Sequence, residues 1–392
     1  MNTNNTNTLN KKAKTKKIIM ALIAVIVAII VIILGMRNQT ENDENITLRI
    51  AVNMPMTGDL ALYGESVRDG IEMAMDELEN SLVQQGIIIK YDMQDNAGNA
   101  KNAVTIYKAQ ALKGFDVYVS GITQQTAAIL DDIKKQEKTH FIWSFYPLIL
   151  QGNDNVFRTW VDYPKEAEYF KKYLDNYKPK AKVACLYLDV VSVQELFNKL
   201  FVPSIKDNYE IVFNESFDIG TTDFKNLITK LKQSKPDVIF INGWENHLAS
   251  IVKESINQDI KKDGNMVFTF DLLDARKYLN ATQLHGLVLN IPLYEINSSD
   301  LKTEWELRFK RKFKKNPNYS SAYAYDFAMI MYEIAKAFKQ SGEKHFDINK
   351  YIFNIDQNGI TGNLKFSKNG DLIGFYRTCK LDKNGQFILL KK

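Results

Sequence analysis

Four consecutive polar side chains follow an apolar run at the point where a helix would begin. They lie in the segment SGITQQTA at residues 120–127, directly after the apolar run FDVYV. Unpaired backbone N–H groups and the positive end of the helix dipole attract a carboxylate or an amide oxygen at such a junction. The alternative is that the first of the four only caps the helix. The candidate ligand contacts here are Thr123, Gln124, Gln125 and Thr126.

Asp271 ends a second apolar run, MVFTFD, and offers the opposite polarity. A carboxylate that lines a partly dry cleft suits a cation or an amide N–H. Its alternative role is the N-cap of the helix that LLDARKYL predicts. An anion-favouring helix start together with Asp271 describes a dipolar ligand, such as an amino acid, a short amide or urea.

Further candidates lie at comparable ends of apolar runs. Tyr63 lies in the strand-end segment MPMTGDLALYG, and Tyr146 lies in the segment SFYP. Ser192 and Trp244 lie beyond two later runs. Trp244 suits either packing on a ligand, where its ring could also hold a cation, or simple core packing. The four histidines have no metal-ligand spacing, so neither a metal site nor a cofactor is predicted.

The order of the elements explains how these residues would meet. Four short apolar runs alternate with stretches of helical period, a joining strand NVFRTW follows, and four more such units come after it. This pattern is typical of parallel sheets covered by helices, and its repetition predicts an α/β chain with two doubly wound lobes. Ligands of such sheets bind beyond the carboxyl ends of the strands, which is where the candidate residues lie.

The last hundred residues are expected to return to both lobes. After the strand GLVLNIP come two strong helices and a β-rich tail with three NG turns. Two helices with no strand between them do not suggest a third domain, so the simplest path returns to the first lobe and then to the second. The predicted division is residues 47–158 and 290–355 for the first lobe, and residues 159–289 and 356–392 for the second.

The first 46 residues are predicted to lie outside the lobes. Residues 1–17 form a basic leader, residues 18–36 are uncharged and apolar, and residues 37–46 form a polar tether. An apolar helix of this length spans roughly 30 Å of hydrocarbon at about 1.5 Å per residue, which favours an uncleaved transmembrane anchor over a cleaved signal peptide. Lysines before the segment predict a cytoplasmic leader and lobes outside the cytoplasm.

Charge and cysteine content bear on partners and redox chemistry. The formal net charge of +5 includes +6 within residues 1–40, so the rest carries −1 and offers no basic surface for nucleic acid. Cys185 and Cys379 permit one disulfide, and two buried free thiols are the open alternative. The sequence lacks the common hydrolase, metalloprotease and nucleotide-binding motifs, so no enzyme activity is expected.

Several segments resemble type I periplasmic solute-binding proteins, in the branch that binds branched-chain amino acids, amides and urea and feeds ABC importers. The opening IAVNMPMTGDLALYGESVRDGIEMAMDELE and the late segment ITGNLKFSKNGDLIGF carry the most specific likeness, which covers nearly everything from residue 48 onward. The resemblance implies two lobes joined by three crossing strands that close on a small ligand without catalysis. It also implies two partners, an amino acid or amide ligand and the membrane subunits of an importer.

The resemblance assigns roles to individual residues. Asp271 occupies the place of the acid that holds a ligand ammonium in relatives, and Trp244 that of an aromatic side chain that packs on the ligand. Ser192 replaces a tyrosine of amino acid binders. Pro147 has no N–H to donate to a carboxylate, and the SFYP loop is more similar to amide and urea binders. An alternative function is a tethered sensor that signals through another membrane protein. The basic run at residues 308–317 is predicted to be a solvated helix face, and its alternative role is a docking surface for a partner.

Overall fold

The computed structural model describes these parts of the chain: Ile23 and residues 25–31, 45–145, 152–160, 163–373 and 376–390. The short pieces before residue 32 are helical, with exposed side chains. In the described ranges no helix combines the length and the apolarity that a membrane span requires. Most of the predicted anchor lies outside these ranges, as does the candidate Tyr146, so both stay predictions.

The β structure consists of two sheets and one hairpin. Its strands within the described ranges are β1 (Ile46–Met54), β2 (Ile87–Asp95), β3 (Val117–Gly121), β4 (Thr139–Trp143), β5 (Val156–Arg158), β6 (Lys182–Leu188), β7 (Glu210–Phe217), β8 (Val238–Ile241), β9 (Met266–Phe268), β10 (Val288–Pro292), β11 (Asp356–Gly359), β12 (Gly362–Lys365), β13 (Tyr376–Leu381) and β14 (Phe387–Leu389). The first sheet is parallel, in the order β2-β1-β3-β4-β5. The second has the order β14-β13-β10-β9-β8-β6-β7, and β13 alone runs opposite to the other strands, because it pairs antiparallel with both β10 and β14. The predicted architecture of two parallel α/β sheets is therefore confirmed.

Helices connect the strands and cover both sheets. In chain order they are α1 (Ala61–Gln85), α2 (Ala100–Lys113), α3 (Thr123–Ala128), α4 (Leu130–Gln136), α5 (Tyr163–Tyr177), α6 (Val191–Gln194), α7 (Val202–Ile205), α8 (Lys225–Gln233), α9 (Glu245–Asn257), α10 (Leu272–Ala275), α11 (Ala281–Leu284), α12 (Leu293–Ile296), α13 (Asp300–Phe313), α14 (Tyr319–Ser341) and α15 (Asn349–Ile352). A π-helical segment, Glu195–Phe201, joins α6 to α7. Because helices cover both faces of the sheets, strands such as β3 and β8 are buried along their whole length and are continuously apolar or nearly so.

Residues after β10 pack on the first sheet, as the sequence predicts. Trp305 of α13 and Phe327 of α14 are fully buried in the same core as the β1 residue Ile50. Leu364 and Phe366, at and just beyond β12, belong to this core as well. Residues 356–372 therefore pack with the first lobe, whereas the predicted boundary at residue 355 had assigned them to the second.

The basic run at residues 308–317 is partly solvated, since Lys310, Arg311 and Lys314 are exposed, and partly paired with α1. Three of its cations form ion pairs with carboxylates of α1: Arg308 with Glu77 at 2.8 Å, Lys312 with Glu72 at 3.0 Å, and Lys315 with Asp69 at 2.5 Å. These ion pairs connect the C-terminal part of α13 and the loop after it to α1. These ion pairs could not be predicted from the sequence because the two helices are far apart in the chain.

The chain crosses between the sheets three times, after β5, after β10 and before β13. The first and third crossings pair with each other, because Arg158 N–H donates to Gly370 O at 2.8 Å and Leu372 N–H donates to Arg158 O at 3.0 Å. The guanidinium of Arg158 is buried and binds Asp371 at 2.7 Å. These contacts tie two of the crossing segments into one connection between the lobes.

The two cysteines lie far apart in the second sheet. Cys185 is in β6 and Cys379 in β13, and β8, β9 and β10 lie between these strands. Both thiols are buried and free. The disulfide alternative is therefore wrong.

Candidate ligand-binding site between the lobes

Aromatic rings from both lobes meet beyond the carboxyl ends of the strands. Phe145 follows β4 of the first sheet, and its ring centroid lies 5.0 Å from that of Phe270, which follows β9 of the second sheet. Phe145 also stacks on Tyr163 at the start of α5, with centroids 5.4 Å apart. Tyr319, at the start of α14, meets Phe270 edge to face at 6.0 Å. We refer to Phe145, Tyr163, Phe270 and Tyr319 as the aromatic group.

Asp271 lies beside the aromatic group and does not cap a helix. It occupies the N-cap position of α10 in a helical conformation, but its side chain makes no capping hydrogen bond, so the N-cap alternative is wrong. Its Oδ2 instead accepts hydrogen bonds from Thr269 Oγ1 at 2.5 Å and from Asn242 Nδ2 at 3.0 Å. Burial raises the pKa of Asp271 to about 7, although the bond from Thr269 opposes the shift.

Two more carboxylates lie near Asp271. Burial and the negative charge of Glu245 raise the pKa of Asp274 to about 6, while the nearby Lys277 lowers it. The ammonium of Lys277 is bound to Glu245 at 2.6 Å. We call Asp271, Asp274 and Glu245 the acidic wall of the second lobe.

Tyr63 and Tyr319 bring the first lobe to this acidic wall. Tyr319 donates a hydrogen bond to Asp274 Oδ2 at 3.4 Å and shares another with Tyr63. Burial raises the pKa of Tyr63, and the nearby charges of Asp274 and Asp271 raise it further. The predicted candidates Tyr63 and Asp271 therefore lie close together although they belong to different lobes.

Local structure fixes the position of Tyr63 at the start of α1. Asp95, at the end of β2, accepts hydrogen bonds from Met56 N–H at 2.7 Å and from the Thr57 hydroxyl at 2.6 Å, and so holds the loop that precedes α1. Gly64 packs on this loop so closely that a Cβ atom would lie 2.0 Å from the carbonyl oxygen of Pro55. Any larger residue at position 64 would displace the neighbouring Tyr63.

Ser192 and Trp244 occupy different parts of the second lobe. Ser192 lies in α6, and its hydroxyl is hydrogen-bonded to Tyr163 of the aromatic group. Trp244 is 48% exposed and lies directly before α9, so the core-packing alternative is wrong. Its ring stacks on His247 with centroids 6.1 Å apart. Glu245 of the acidic wall follows it in the chain.

The polar segment at the start of α3 is only partly available to a ligand. The helix begins at Thr123 and its N-cap residue is Ile122, so the N-cap alternative for Thr123 is wrong. Thr123 Oγ1 accepts a hydrogen bond from Ser144 at 3.2 Å. Gln124 is exposed.

The other two residues of that segment bond inside the first lobe. Gln125 donates to Gly98 O at 2.5 Å, and Thr126 donates to the Ser120 hydroxyl at 3.1 Å. Both side chains are buried. These bonds tie Gln125 and Thr126 to the interior of the first lobe.

The remaining residues of this site were not among the candidates predicted from the sequence. Phe270 and Asp274 flank Asp271 in the segment TFDLLDA, so their closeness in the chain was an available signal. Tyr163 and Tyr319 begin helices α5 and α14 of different lobes, and only the folded chain brings them together. Two cavities within the described ranges, of about 720 and 230 Å³, lie elsewhere and are lined by residues of the crossing segments and of the β12 hairpin.

Comparisons with known proteins agree with this architecture. Residues 47–362 match the sequence profile of the family described as periplasmic binding protein. The Leu/Ile/Val-binding protein BraC3 of Rhizobium johnstonii is 26% identical over 206 residues, which are 50% of this chain and 54% of that protein. The chain thus spans about half the length of the first relatives it matches. A leucine-, isoleucine-, valine-, threonine- and alanine-binding protein of Pseudomonas aeruginosa is 22% identical over 349 residues, 84% of this chain and 88% of that protein.

Solved structures show the same fold at low identity. The branched-chain amino acid transporter substrate-binding protein LivJ of Streptococcus pneumoniae, in complex with isoleucine, has a TM-score of 0.71 at 22% identity, over 88% of this chain and all of that chain. An ABC transporter substrate-binding protein of Sphaerobacter thermophilus has a TM-score of 0.74 at 16% identity, over 88% of this chain and 96% of that chain. The family profile covers most of the sequence, and the fold agrees with it. The chain therefore belongs to the periplasmic binding protein family, whose members bind solutes without transforming them.

Proposed function

We propose that this protein captures a small polar solute between its two lobes outside the cytoplasm and delivers it to an ABC importer. The observation that carries the proposal is the meeting of Tyr63 and Tyr319 from the first lobe with Asp271 and Asp274 from the second. A solute held there would contact both lobes at once. Relatives named for binding leucine, isoleucine and valine, and structural neighbours described as transporter substrate-binding proteins, support this role.

The proposed ligand is an amino acid, a short amide or a urea-like solute. Asp271, with Asn242 beside it, offers acceptors to a ligand ammonium or amide N–H, and the aromatic group offers apolar surface. Tyr63, Thr123 and Ser192 are the further predicted contacts that lie at strand ends or helix starts of the two lobes. Tyr146, Gln124 and Trp244 remain candidates from sequence.

Ligand capture would act through the balance between open and closed lobes. A solute that bonds to both lobes binds the closed arrangement more tightly than the open one, so it shifts the population toward closure. The importer could then distinguish loaded from empty protein by shape. No covalent step is needed for this cycle.

Residues 18–36 are proposed to anchor the protein in the membrane, with the lobes on the outer side. The charge pattern and apolarity of the sequence support this arrangement. Protease added to intact cells or spheroplasts should cleave the lobes. Without protease, the full-length chain should remain in the membrane fraction after an alkaline wash. Release of the full-length chain by that wash would contradict the anchor.

Solute capture is tested by thermal unfolding of the full chain in detergent with a panel of amino acids, amides, ureas and amines. A solute that binds only the folded state raises the melting temperature, and its affinity is then measured by calorimetry. A shift with at least one panel member is expected. No shift with any member would contradict solute capture.

The sensor hypothesis predicts a different result in cells. If the chain is deleted, loss of uptake of the bound solute supports delivery to an importer. Unchanged uptake with altered gene expression would favour the sensor. The proposed membrane anchor is compatible with both.

A further inference from the structure

The lining of the interlobe site is rich in hydrogen-bond acceptors and negative charge. Asp271 and Asp274 are three positions apart, at the N-cap and within α10, and the charge of Asp274 acts on Asp271 while that of Glu245 acts on Asp274. Glu245 adds a third carboxylate from the start of α9. Like charges gathered in a partly dry place are unfavourable unless a positive group accompanies them.

Asn242 supplies an independent sign of a missing donor. Its side chain is 2% exposed and lies just beyond β8. Its Nδ2 donates to Thr269 Oγ1 and to Asp271 Oδ2, both at 3.0 Å, and this fixes the orientation of the amide. Its Oδ1 has no hydrogen-bond partner among the described residues. A buried amide oxygen beside a carboxylate is the natural partner of an N–H group on a ligand.

Among the described residues, the cation that acts on the acidic wall is already paired with one of its carboxylates. Lys277 is the cation whose charge acts on Asp274, and its ammonium binds Glu245 at 2.6 Å. Among the described residues, none of the charges that act on Asp271 is positive. A positively charged ligand would therefore compensate Asp271 and Asp274, whereas a ligand carboxylate would lie near like charges.

Aromatic rings complete the surroundings of such a cation. Tyr63 and Tyr319 lie next to the acidic wall, and Phe270 immediately precedes Asp271. The negative faces of aromatic rings attract ammonium and amidinium groups, and this attraction strengthens where water is excluded. Rings and carboxylates together favour a cation over a neutral solute of the same shape.

We propose that the interlobe site selects small organic cations with N–H donors, namely amines and amidines that carry a net positive charge, over zwitterionic amino acids and neutral amides. This inference rests on the proposed function of solute capture, and it replaces the amino acid or amide proposed above by a ligand with a net positive charge. The acidic wall and Asn242 Oδ1 accept the N–H groups, and the aromatic group packs against the carbon skeleton.

Matched pairs of ligands test the selection. Acetamidine and acetamide have nearly the same shape and differ in charge, and isoamylamine is leucine without its carboxylate. Titration calorimetry on the full chain in detergent, at millimolar ligand concentrations, should give affinities at least about tenfold higher for the cation of each pair, as expected where charge-assisted bonds replace neutral ones. Equal or tighter binding of leucine or acetamide would overturn the inference and leave solute capture intact.

The wider panel separates the two possible failures. If the tightest binder of the whole panel carries no net positive charge, the inference is wrong but the proposed function stands. If no panel member binds, solute capture itself is contradicted and the inference fails with it. A tightest binder with a net positive charge supports both.

A variant pair localises the selectivity. Asp274→Asn keeps the shape of the side chain but removes one charge of the acidic wall, so binding of the preferred cation should weaken by about tenfold while binding of its neutral counterpart changes little. Asp207→Asn removes the same charge from an exposed turn beyond α7 and should leave both affinities unchanged. Equal weakening of both ligands by Asp274→Asn would show a structural defect and would count against the charge argument.

Discussion

Tyr319 donates a hydrogen bond to Asp274 Oδ2 at 3.4 Å and thereby connects the start of α14 in the first lobe to α10 in the second. Tyr63 is hydrogen-bonded to the same phenol, so two tyrosines of the first lobe meet the acidic wall together. The bond is direct, side chain to side chain. The two lobes are thus joined at this point through one phenol and one carboxylate.

Replacing Tyr319 by phenylalanine should favour the open arrangement. The variant keeps the ring that packs on Phe270 and Trp160 but loses the bonds to Tyr63 and Asp274. A hydrogen bond to a charged group contributes about 1.5–3 kcal/mol, so affinity for the bound solute should fall by about tenfold. Small-angle scattering of the ligand-free variant should give a larger radius of gyration.

Tyr332→Phe serves as the control. This tyrosine lies in the same helix and is also buried, but it is more than three helical turns from the site. It should alter neither the radius of gyration nor the affinity. If the two variants had the same radius of gyration and the same affinity, the hydroxyl of Tyr319 would have no role in lobe closure.

Affinity for a cationic solute should depend on pH through Asp271. In the free protein its pKa is about 7, and that of Asp274 is about 6. A cation prefers the ionised carboxylate, so its binding releases a proton at lower pH, and affinity should rise from pH 5 to pH 8 and then level off. In Asp271→Asn this rise should be smaller, and affinity at pH 8 should fall at least about tenfold.

Calorimetry in buffers of different ionisation enthalpy counts the released protons directly. Acetamidine is a suitable probe because it stays charged across this range. Affinity that falls as pH rises, or a proton count of zero at pH 6, would contradict the assignment of Asp271. In Asp271→Asn, the pH dependence of affinity that remains reflects the titration of Asp274.

Local sequence patterns were sufficient to predict most strands and their arrangement in two α/β lobes. The run KVACLYL coincides with β6, and the amphipathic stretch after the Pro-Met-Thr-Gly turn contains α1. Such predictions succeed because burial between two layers of helices requires continuous apolar runs. Residues 356–372 were misplaced because their lobe is decided by packing of Leu364 and Phe366 on a distant core, which no local pattern encodes.

The site was only half predictable for a related reason. Asp271 and Tyr63 follow strands, so the topology of parallel sheets directs attention to them. Tyr319 and Asp274 lie in helices of different lobes, and they come into contact only because the folded chain places the two lobes side by side. Gln125 and Thr126 had the expected position at a strand end, but their side chains bond to Gly98 and Ser120 inside the lobe.

His140 should make stability depend on pH below neutrality. Its ring is buried in the first lobe, where Nε2 lies 2.9 Å from the Ser120 hydroxyl, and burial lowers its pKa to about 3. The unfolded chain takes up a proton below about pH 6.5 while the folded chain stays neutral until about pH 3, so stability contributed by this group is lost as pH falls through that window.

His140→Gln removes this titration but keeps a polar group beside Ser120. The slope of the unfolding free energy against pH between 4 and 6 should become smaller by up to about 1.4 kcal/mol per pH unit. Urea denaturation at several pH values measures the slope for both proteins. Parallel curves would mean that the folded protein protonates His140 as readily as the unfolded chain.

Asp326 of α14 holds the β11–β12 hairpin on the first lobe. Its carboxylate accepts hydrogen bonds from the backbone N–H groups of Ile360 at 2.9 Å and Thr361 at 2.8 Å, and from the Thr361 hydroxyl at 2.6 Å. In Asp326→Asn an amide N–H₂ replaces one accepting oxygen, so one buried backbone N–H loses its partner at a cost of about 1–3 kcal/mol. Hydrogen exchange at residues 359–365 should accelerate accordingly.

Asp356→Asn provides the comparison within the same hairpin. Asp356 binds Lys365 at 2.6 Å, but both side chains are about half exposed, so solvent and salt screen the pair. Exchange in the hairpin should stay at the rate of the unaltered protein in this variant. If Asp356→Asn accelerated exchange as much as Asp326→Asn, the hairpin would be held by its own cross-strand contacts, and its position on the first lobe would not depend on the buried carboxylate.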